Sequence, residues 1–153
     1  MAKAKQKTPN AIKLLEQDHE RLKEAYRQFE KMDRRDRPAL RALVKDACRT
    51  LETHVRLEDE LFYPAVRKVL RDEDLMHEAD IAHDFAKMLI GRLKRMKATD
   101  SAYVATFTVL CDYVVQHIKD EESEIFARAR RKLDVQALGR KMIARKNRLE
   151  EAK

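Results

Sequence analysis

Four of the five histidines in this chain lie within long apolar stretches, and their imidazole side chains could bind metal ions there. A glutamate follows two of these histidines by four residues. The six residues are His19, His54, Glu58, His83, His117 and Glu121. Residues four apart share one face of a helix, so each His-x3-Glu pair would present a nitrogen and a carboxylate oxygen in one direction. Mixed imidazole and carboxylate ligands favour iron, manganese or zinc over calcium or magnesium.

The six side chains occupy positions that the apolar pattern assigns to a protein core. A buried carboxylate without a partner is costly, and bound metal ions would remove that cost. Two carboxylates suit two bridges between a pair of metals, which helical bundles build from facing helices. A single inward histidine, or a single His-x3-Glu, is more often an ordinary core feature. Four inward histidines on separate helices, two of them paired with glutamate, favour a metal site with room for a small exogenous molecule.

The elements that must position these residues are long helices. The apolar residues recur at helical spacing, and the composition, with 40% charged residues and only two glycines, is typical of a helical protein. The spacing predicts helices at about 9–32, 38–71, 74–97 and 101–132, followed by a basic helix at about 134–149. Short connections between long helices predict an all-α, up-and-down four-helix bundle. Pro64 falls inside the second helix and should kink it.

This pattern divides the chain into three parts. We expect a disordered basic tail over residues 1–8, the bundle over 9–132 and the basic helix over 133–153. The net charge of +7 is concentrated in the two ends. Basic ends could contact nucleic acid or acidic surfaces, or could simply be solvated. The sequence contains no apolar run long enough for a membrane helix and no apolar leader, which predicts a cytoplasmic protein without membrane contact. We expect a monomer or a weak homo-oligomer.

Two cysteines complete the composition, and both fall in apolar helical stretches. They are Cys48 and Cys111, and no CxxC pair occurs. We therefore expect small buried side chains and no disulfide framework.

Several segments resemble the hemerythrin or HHE cation-binding family. They are Asp18-His19-Glu20, the run from His54 to Pro64 with its Phe62-Tyr63-Pro64, Ala82-His83, and the run from His117 to Glu122. The resemblance covers about residues 10–130. It implies two iron ions, oxo- or hydroxo-bridged, with zinc or manganese as possible substitutes. It also implies one iron on His19 and His54, the other on His83 and His117, and Glu58 and Glu121 as bridges.

The chain departs from oxygen-carrying hemerythrins at two points. Those proteins have a second histidine four residues before the third-helix ligand, where this chain has Ala79, and usually carry His-x4-Asp on the last helix. The iron on His83 would therefore lack one ligand. Tyr113 or Tyr26 could supply it or lie beside the metal, although each could also be an ordinary core aromatic.

The remaining polar residues near the motifs are expected off the ligand faces. His77 should be a surface residue. Four acids next to ligands should be solvated or hydrogen-bonded to the ligands: Glu20, Asp59, Glu60 and Glu122.

Three hypotheses of function follow from this site. The first is a di-iron protein that binds or senses O2, NO or peroxide, in oxidative or nitrosative stress or in iron homeostasis. The second is a di-iron enzyme that consumes peroxide or reduces NO. The third is a bundle with a structural metal, whose basic ends bind nucleic acid or a protein partner.

Overall fold

The structure is a computed structural model that describes residues 9–152. The expected disordered tail at 1–8 lies outside the described residues. Within 9–152 the chain is all-helical and contains no strand. The helices are α1 (Ala11–Lys31), α2 (Arg37–Leu57), α3 (Tyr63–Leu70), α4 (Glu73–Arg95), α5 (Tyr103–Asp120), α6 (Ala127–Ala129) and α7 (Val135–Glu151). A π-helical segment, π1 (Glu58–Phe62), joins α2 to α3, and a second, π2 (Glu121–Phe126), joins α5 to α6.

Short polar side chains fix where most of the long helices begin. A side-chain oxygen at the helix start accepts a hydrogen bond from the backbone three residues later, which satisfies one of the unpaired N–H groups there. The capping residues are Asn10, Asp36, Asp72 and Asp134. The helices predicted to begin at about 38 and 74 begin one residue earlier, at Arg37 and Glu73. α5 begins at Tyr103 without a side-chain cap, since Ala102 occupies the capping position.

The long helices pack around two clusters of buried apolar residues. α1 packs against α2, α4 packs against α5, and α2 and α5 also contact α4 and α1 respectively. Each ligand position falls between members of the two clusters. On α1, for example, His19 lies between Leu15 of one cluster and Leu22 of the other. The polar residues therefore form a single layer that separates the two apolar halves of the core.

The two π-helical segments are the main departure from the predicted helices. The sequence predicts one kinked helix over 38–71. Instead the turn before Pro64 widens, and the backbone N–H of Tyr63 donates to the carbonyl of Glu58, five residues earlier. Proline lacks the N–H that a regular helix would use at this point, so the hydrogen-bond pattern has to change nearby. π2 interrupts the predicted helix at 101–132 without any proline, and the sequence gives no comparable signal for it.

The basic C-terminal helix, α7, packs against α1, α2 and π1. Met142 and Leu149 are buried in that contact. Gly139 allows the close approach, because a Cβ atom there would lie 2.7 Å from the carbonyl oxygen of Pro9. None of the described helices combines the length and apolar content that a membrane crossing requires.

Candidate metal centre

The structure brings the six predicted side chains together in the polar layer. Five of them are almost completely buried, and the side chain of His117 is 17% exposed. Their nitrogen and oxygen atoms form two groups, within each of which all atoms lie within 4.8 Å of one another. The first group is His19, His54, Glu58 and Glu121, and the second is Glu58, His83, His117 and Glu121. Both glutamates belong to both groups, which is the arrangement that two bridging carboxylates require.

All four imidazole rings turn the same nitrogen, Nε2, towards the two glutamates. Nε2 of His54 and Nε2 of His83 each lie 3.1 Å from Oε1 of Glu58. Nε2 of His19 lies 3.0 Å from Oε1 of Glu121, and Nε2 of His117 lies 3.6 Å from Oε2 of Glu121. Four nitrogens that converge in this way form a donor set suited to metal ions.

Three of the histidines make a hydrogen bond from the opposite nitrogen, Nδ1, to a carboxylate of another helical segment. The pairs are His19 with Glu122 at 2.8 Å, His54 with Asp18 at 3.0 Å and His83 with Asp59 at 2.7 Å. When Nδ1 donates its proton to a carboxylate, the lone pair of Nε2 is left free for a metal, and the ring is held in place. His117 has no such carboxylate among residues 9–152.

The four acids next to the ligands were expected to be either solvated or hydrogen-bonded to the ligands, and the structure shows which is which for three of them. Asp59 and Glu122 are hydrogen-bonded to histidines of the cluster, whereas the side chain of Glu20 is 67% exposed. Glu60 is paired with an arginine of α7. The expectation that His77 is a surface residue is confirmed, because its side chain is 65% exposed. Sequence reasoning missed the role of Asp18, because the residue it contacts lies on a different helix.

Tyr63 is the residue of the cluster that the sequence reasoning overlooked. It is fully buried, and its hydroxyl oxygen lies 3.2 Å from Nε2 of His83 and 3.4 Å from Nε2 of His117. The hydroxyl donates to Oε2 of Glu121. Tyr63 therefore faces the half of the centre for which Ala79 supplies no ligand. The proline after it was the available signal, because the wide turn next to Pro64 changes the direction of the tyrosine.

Neither of the two tyrosines that the sequence nominated is hydrogen-bonded to the cluster, although Tyr113 lines the cavity beside it. Tyr26 donates from its hydroxyl to Oδ1 of Asp112 at 2.7 Å, on the outside of the core. The ring of Tyr113 packs 4.5 Å from the ring of Phe85, and this tyrosine is 37% exposed. Neither hydroxyl makes a hydrogen bond to the six clustered residues.

Unpaired polar atoms in the centre show that the protein alone does not satisfy it. Nε2 of His19, Oε2 of Glu58 and Oε1 of Glu121 are buried and make no hydrogen bond in the described part of the chain, although the first and the last lie 3.0 Å apart. Each such atom costs about 1–3 kcal/mol when left unsatisfied. All three belong to the groups whose donor atoms converge, so bound cations would satisfy them together. The residues present therefore fit a metal site.

The charges of the two glutamates support the same conclusion. Burial, together with the nearby carboxylate of Glu58, raises the pKa of Glu121 to about 7. Burial also acts to raise the pKa of Glu58, but the charge on His54 and hydrogen bonds from its neighbours outweigh it and hold that pKa well below its usual range. Two adjacent buried carboxylates resist ionising together. Cations between them would allow both to be charged.

A small cavity connects this centre to the surface beside His117. Its volume is about 180 Å³, and Ala79, Ala82, Tyr113 and Glu121 are among the residues that line it. Water occupies about 30 Å³ in the liquid, so the cavity is large enough for a few molecules of that size. Small molecules thus have a direct approach to the half of the centre formed by His83 and His117.

Comparison with known proteins agrees with this geometry. The sequence model of the family described as Hemerythrin HHE cation binding domain matches residues 10–129. No match is found among curated proteins. The crystal structure of a hemerythrin HHE cation-binding domain-containing protein from Mycobacterium kansasii has the same fold, with a TM-score of 0.78 and 22% sequence identity over 94% of this chain and 89% of that one. This chain belongs to the hemerythrin HHE cation-binding domain family.

Proposed function

We propose that the chain is a di-iron protein that binds or senses small molecules such as O2, NO or peroxide. The observation that carries the proposal is the pair of overlapping ligand groups, which share Glu58 and Glu121. Each group adds two imidazole nitrogens to the shared carboxylates, which suits one iron per group. In this proposal the helices form an up-and-down four-helix bundle, with the iron pair in the polar layer between its apolar halves.

When bound, the iron pair supplies redox chemistry and an open coordination position. The shape of the protein determines where a small molecule can reach the iron pair. The cavity ends at His117 and Glu121, and its walls at Ala79 and Ala82 are small side chains. On the opposite half, neither His19 nor His54 lines this cavity. We therefore place ligand exchange at the His83–His117 half.

A second candidate function, peroxide consumption, is favoured by Tyr63. Burial and the carboxylates of Glu121 and Glu58 raise the pKa of Tyr63 well above its ordinary value, so in the metal-free protein the phenol keeps its proton. Its hydroxyl donates to Oε2 of Glu121 beside the cavity. A phenol in this position can hold or pass a proton next to the reacting oxygens, and disproportionation of peroxide to water and O2 needs such proton transfer but no external reductant.

The first test is the metal content of the purified chain, by element, with the stoichiometry per chain. We expect about two irons, and visible absorption that changes when NO or peroxide is added. His54→Ala should lose iron and the spectral response, whereas His77→Ala, a histidine exposed to solvent, should keep both.

The same samples distinguish the candidate functions. Rapid loss of peroxide that disappears in His54→Ala would favour the enzyme. A stable spectral change without turnover would favour binding or sensing. A chain that holds metal but responds to none of these ligands would contradict both and leave the structural role, for which salt-sensitive binding to DNA through the basic ends is the corresponding measurement.

A further inference from the structure

Lys146 of α7 is connected to the proposed iron ligand His54 through one buried carboxylate. Nζ of Lys146 lies 3.0 Å from Oδ1 of Asp18, and the other oxygen of Asp18 lies 3.0 Å from Nδ1 of His54. The side chain of Asp18 is only 3% exposed and that of Lys146 is 17% exposed. α7 follows the segment matched by the family, which ends at residue 129. An element beyond the matched domain therefore reaches the partner of a ligand.

A second contact anchors α7 on π1, the segment that carries Glu58. Arg145 makes two hydrogen bonds to Glu60, with Nε 2.7 Å from Oε2 and Nη2 3.2 Å from Oε1. Glu60 lies in π1, two residues after Glu58. Adjacent cations of α7 thus contact the surroundings of both His54 and Glu58.

The contact at Asp18 has structural consequences because the carboxylate is buried. A buried charge that loses one of its partners is strongly destabilised, and side chains around it rearrange to find another. Without Lys146, Asp18 would keep its bond to His54 but lose a cationic partner, beside the polar recess of about 280 Å³ that Lys146 helps to line. The orientation of the His54 ring would then be less firmly fixed.

We propose that α7 is part of the metal centre, with Lys146 as a positioning residue that holds Asp18 and, through it, the ring of His54. This inference rests on the proposed iron binding. Iron retention then depends on the docking of α7, and the docking of α7 depends on iron. The two effects must be equal in free energy, because a coupling between two binding events is reciprocal.

Iron release to an excess of chelator, measured on the reconstituted full chain, tests the first half. The informative variant is Lys146→Met. Lys141→Met is the matched control, because Lys141 is exposed on the same helix and has no ion pair or hydrogen bond in the described chain. Loss of the direct hydrogen-bond partner of a metal-bound histidine typically costs 10–100-fold in affinity. Lys146 acts one contact further out, through Asp18, so Lys146→Met should release iron roughly 3- to 10-fold faster. Lys146→Arg should recover part of the retention, since it keeps the cation. Equal release from Lys146→Met and Lys141→Met would overturn the proposal.

Hydrogen exchange on the unmodified chain tests the second half and does not depend on a variant that folds. Amides of α7 should exchange more slowly in the iron-loaded chain than in the iron-free chain, beyond any change in α4 near Leu89. α7 amides that exchange at the same rate in both states would overturn the proposal while leaving iron binding intact. A wild-type chain that takes up no iron would refute the proposed function, and this inference with it.

Discussion

The hydroxyl oxygen of Tyr63 lies 3.2 Å from Nε2 of His83, and the two rings stack with centroids 4.9 Å apart and planes 15° from parallel. The stack holds the phenol so that its oxygen stays among the nitrogens and carboxylates of the centre. Compared with oxygen-carrying hemerythrins, a metal ion held by His83 would lack the ligand that Ala79 replaces. Tyr63 places an oxygen at that half of the centre from another helix.

We predict that Tyr63 gives the iron-loaded protein a visible absorption band. A phenolate bound to ferric iron absorbs broadly in the visible range, so Tyr63→Phe should lose this band while it keeps most of its iron. The measurement is a visible spectrum of the ferric protein. Tyr26→Phe is the control, because the Tyr26 hydroxyl is bonded to Asp112 on the outside of the core. A Tyr63→Phe protein with an unchanged spectrum would show that the phenol is not a ligand.

We predict that Glu121→Gln lowers the iron content from about two per chain to about one or less. The shared carboxylate contacts both halves of the centre, and an amide supplies neither the charge nor the second oxygen that a bridge needs. Glu124→Gln is the matched control. Glu124 lies in the same π-helical segment but is exposed and unpaired in the part of the chain that the structure describes. Elemental analysis after desalting measures the difference, and equal iron content in the two variants would refute a bridging role.

We predict that the metal-free protein loses stability as the pH rises from about 6.5 to about 9. Burial opposes the charge on His83, but hydrogen bonds with Asp59 and Glu58 outweigh it and raise the pKa of His83 to about 9. A histidine whose pKa is higher in the folded chain than in the unfolded chain stabilises the fold fully below its unfolded pKa and loses that contribution up to its folded pKa. Burial likewise opposes a raised pKa at His19 and His54, and their carboxylate partners outweigh it, so these shifts have the same sign.

Thermal unfolding across this range, with a chelator present, is the measurement. His83→Gln should reduce the slope, and His77→Gln, at an exposed position, should leave it unchanged. Added iron should act in the opposite direction, because metal binding needs unprotonated imidazoles and therefore stabilises more as the pH rises. A midpoint temperature that rises with pH in the metal-free chain would contradict the prediction.

We predict that Ala79→Leu slows the entry of small ligands without removing the iron. The larger side chain would fill part of the cavity that leads to His117. Stopped-flow binding of NO or peroxide should be several-fold slower, while the iron content stays that of the wild type. Ala105→Leu, at an exposed position on α5, is the control. Unchanged entry rates would mean that ligands reach the centre by another route.

We predict that Cys48 and Cys111 react very slowly with thiol reagents in the native protein. Both are buried, and burial raises the pKa of Cys48 to about 12 and that of Cys111 higher still. Only the thiolate reacts, and it is scarce at pH 8. Both thiols should become reactive when denaturant is added. Fast reaction without denaturant would contradict the burial of this part of the core.

The sequence predicted the ligand faces because a regular helix repeats every 3.6 residues, and the six clustered residues follow that repeat. Tyr63 could not be predicted in the same way. It lies five residues after Glu58, which in a regular helix would turn it roughly 140° away from the glutamate. The wide turn of π1 cancels much of that rotation. The periodicity indicates which residues share a face only while the helix stays regular.

The helical periodicity of the sequence also could not predict the contacts between helices. Asp18 precedes His19 in the chain but is hydrogen-bonded to His54, and only the packing of α1 on α2 shows this pairing. The same is true of Lys146, whose partner is 128 residues away in the chain. Spacing along one helix predicts neighbours on that helix. Partners supplied by another helix depend on how the two pack.

Each π-helical segment begins at the glutamate of a His-x3-Glu pair, and each contains one residue more than the helix around it needs. If π1 were drawn into a regular α-helix with all its residues kept, everything beyond it would be turned by about 100°. His54 and Glu58 would keep their relation, while Tyr63 would leave the face that Glu58 shares with the centre. The surplus residue, taken up in a wide turn, thus sets which oxygen atoms surround the centre.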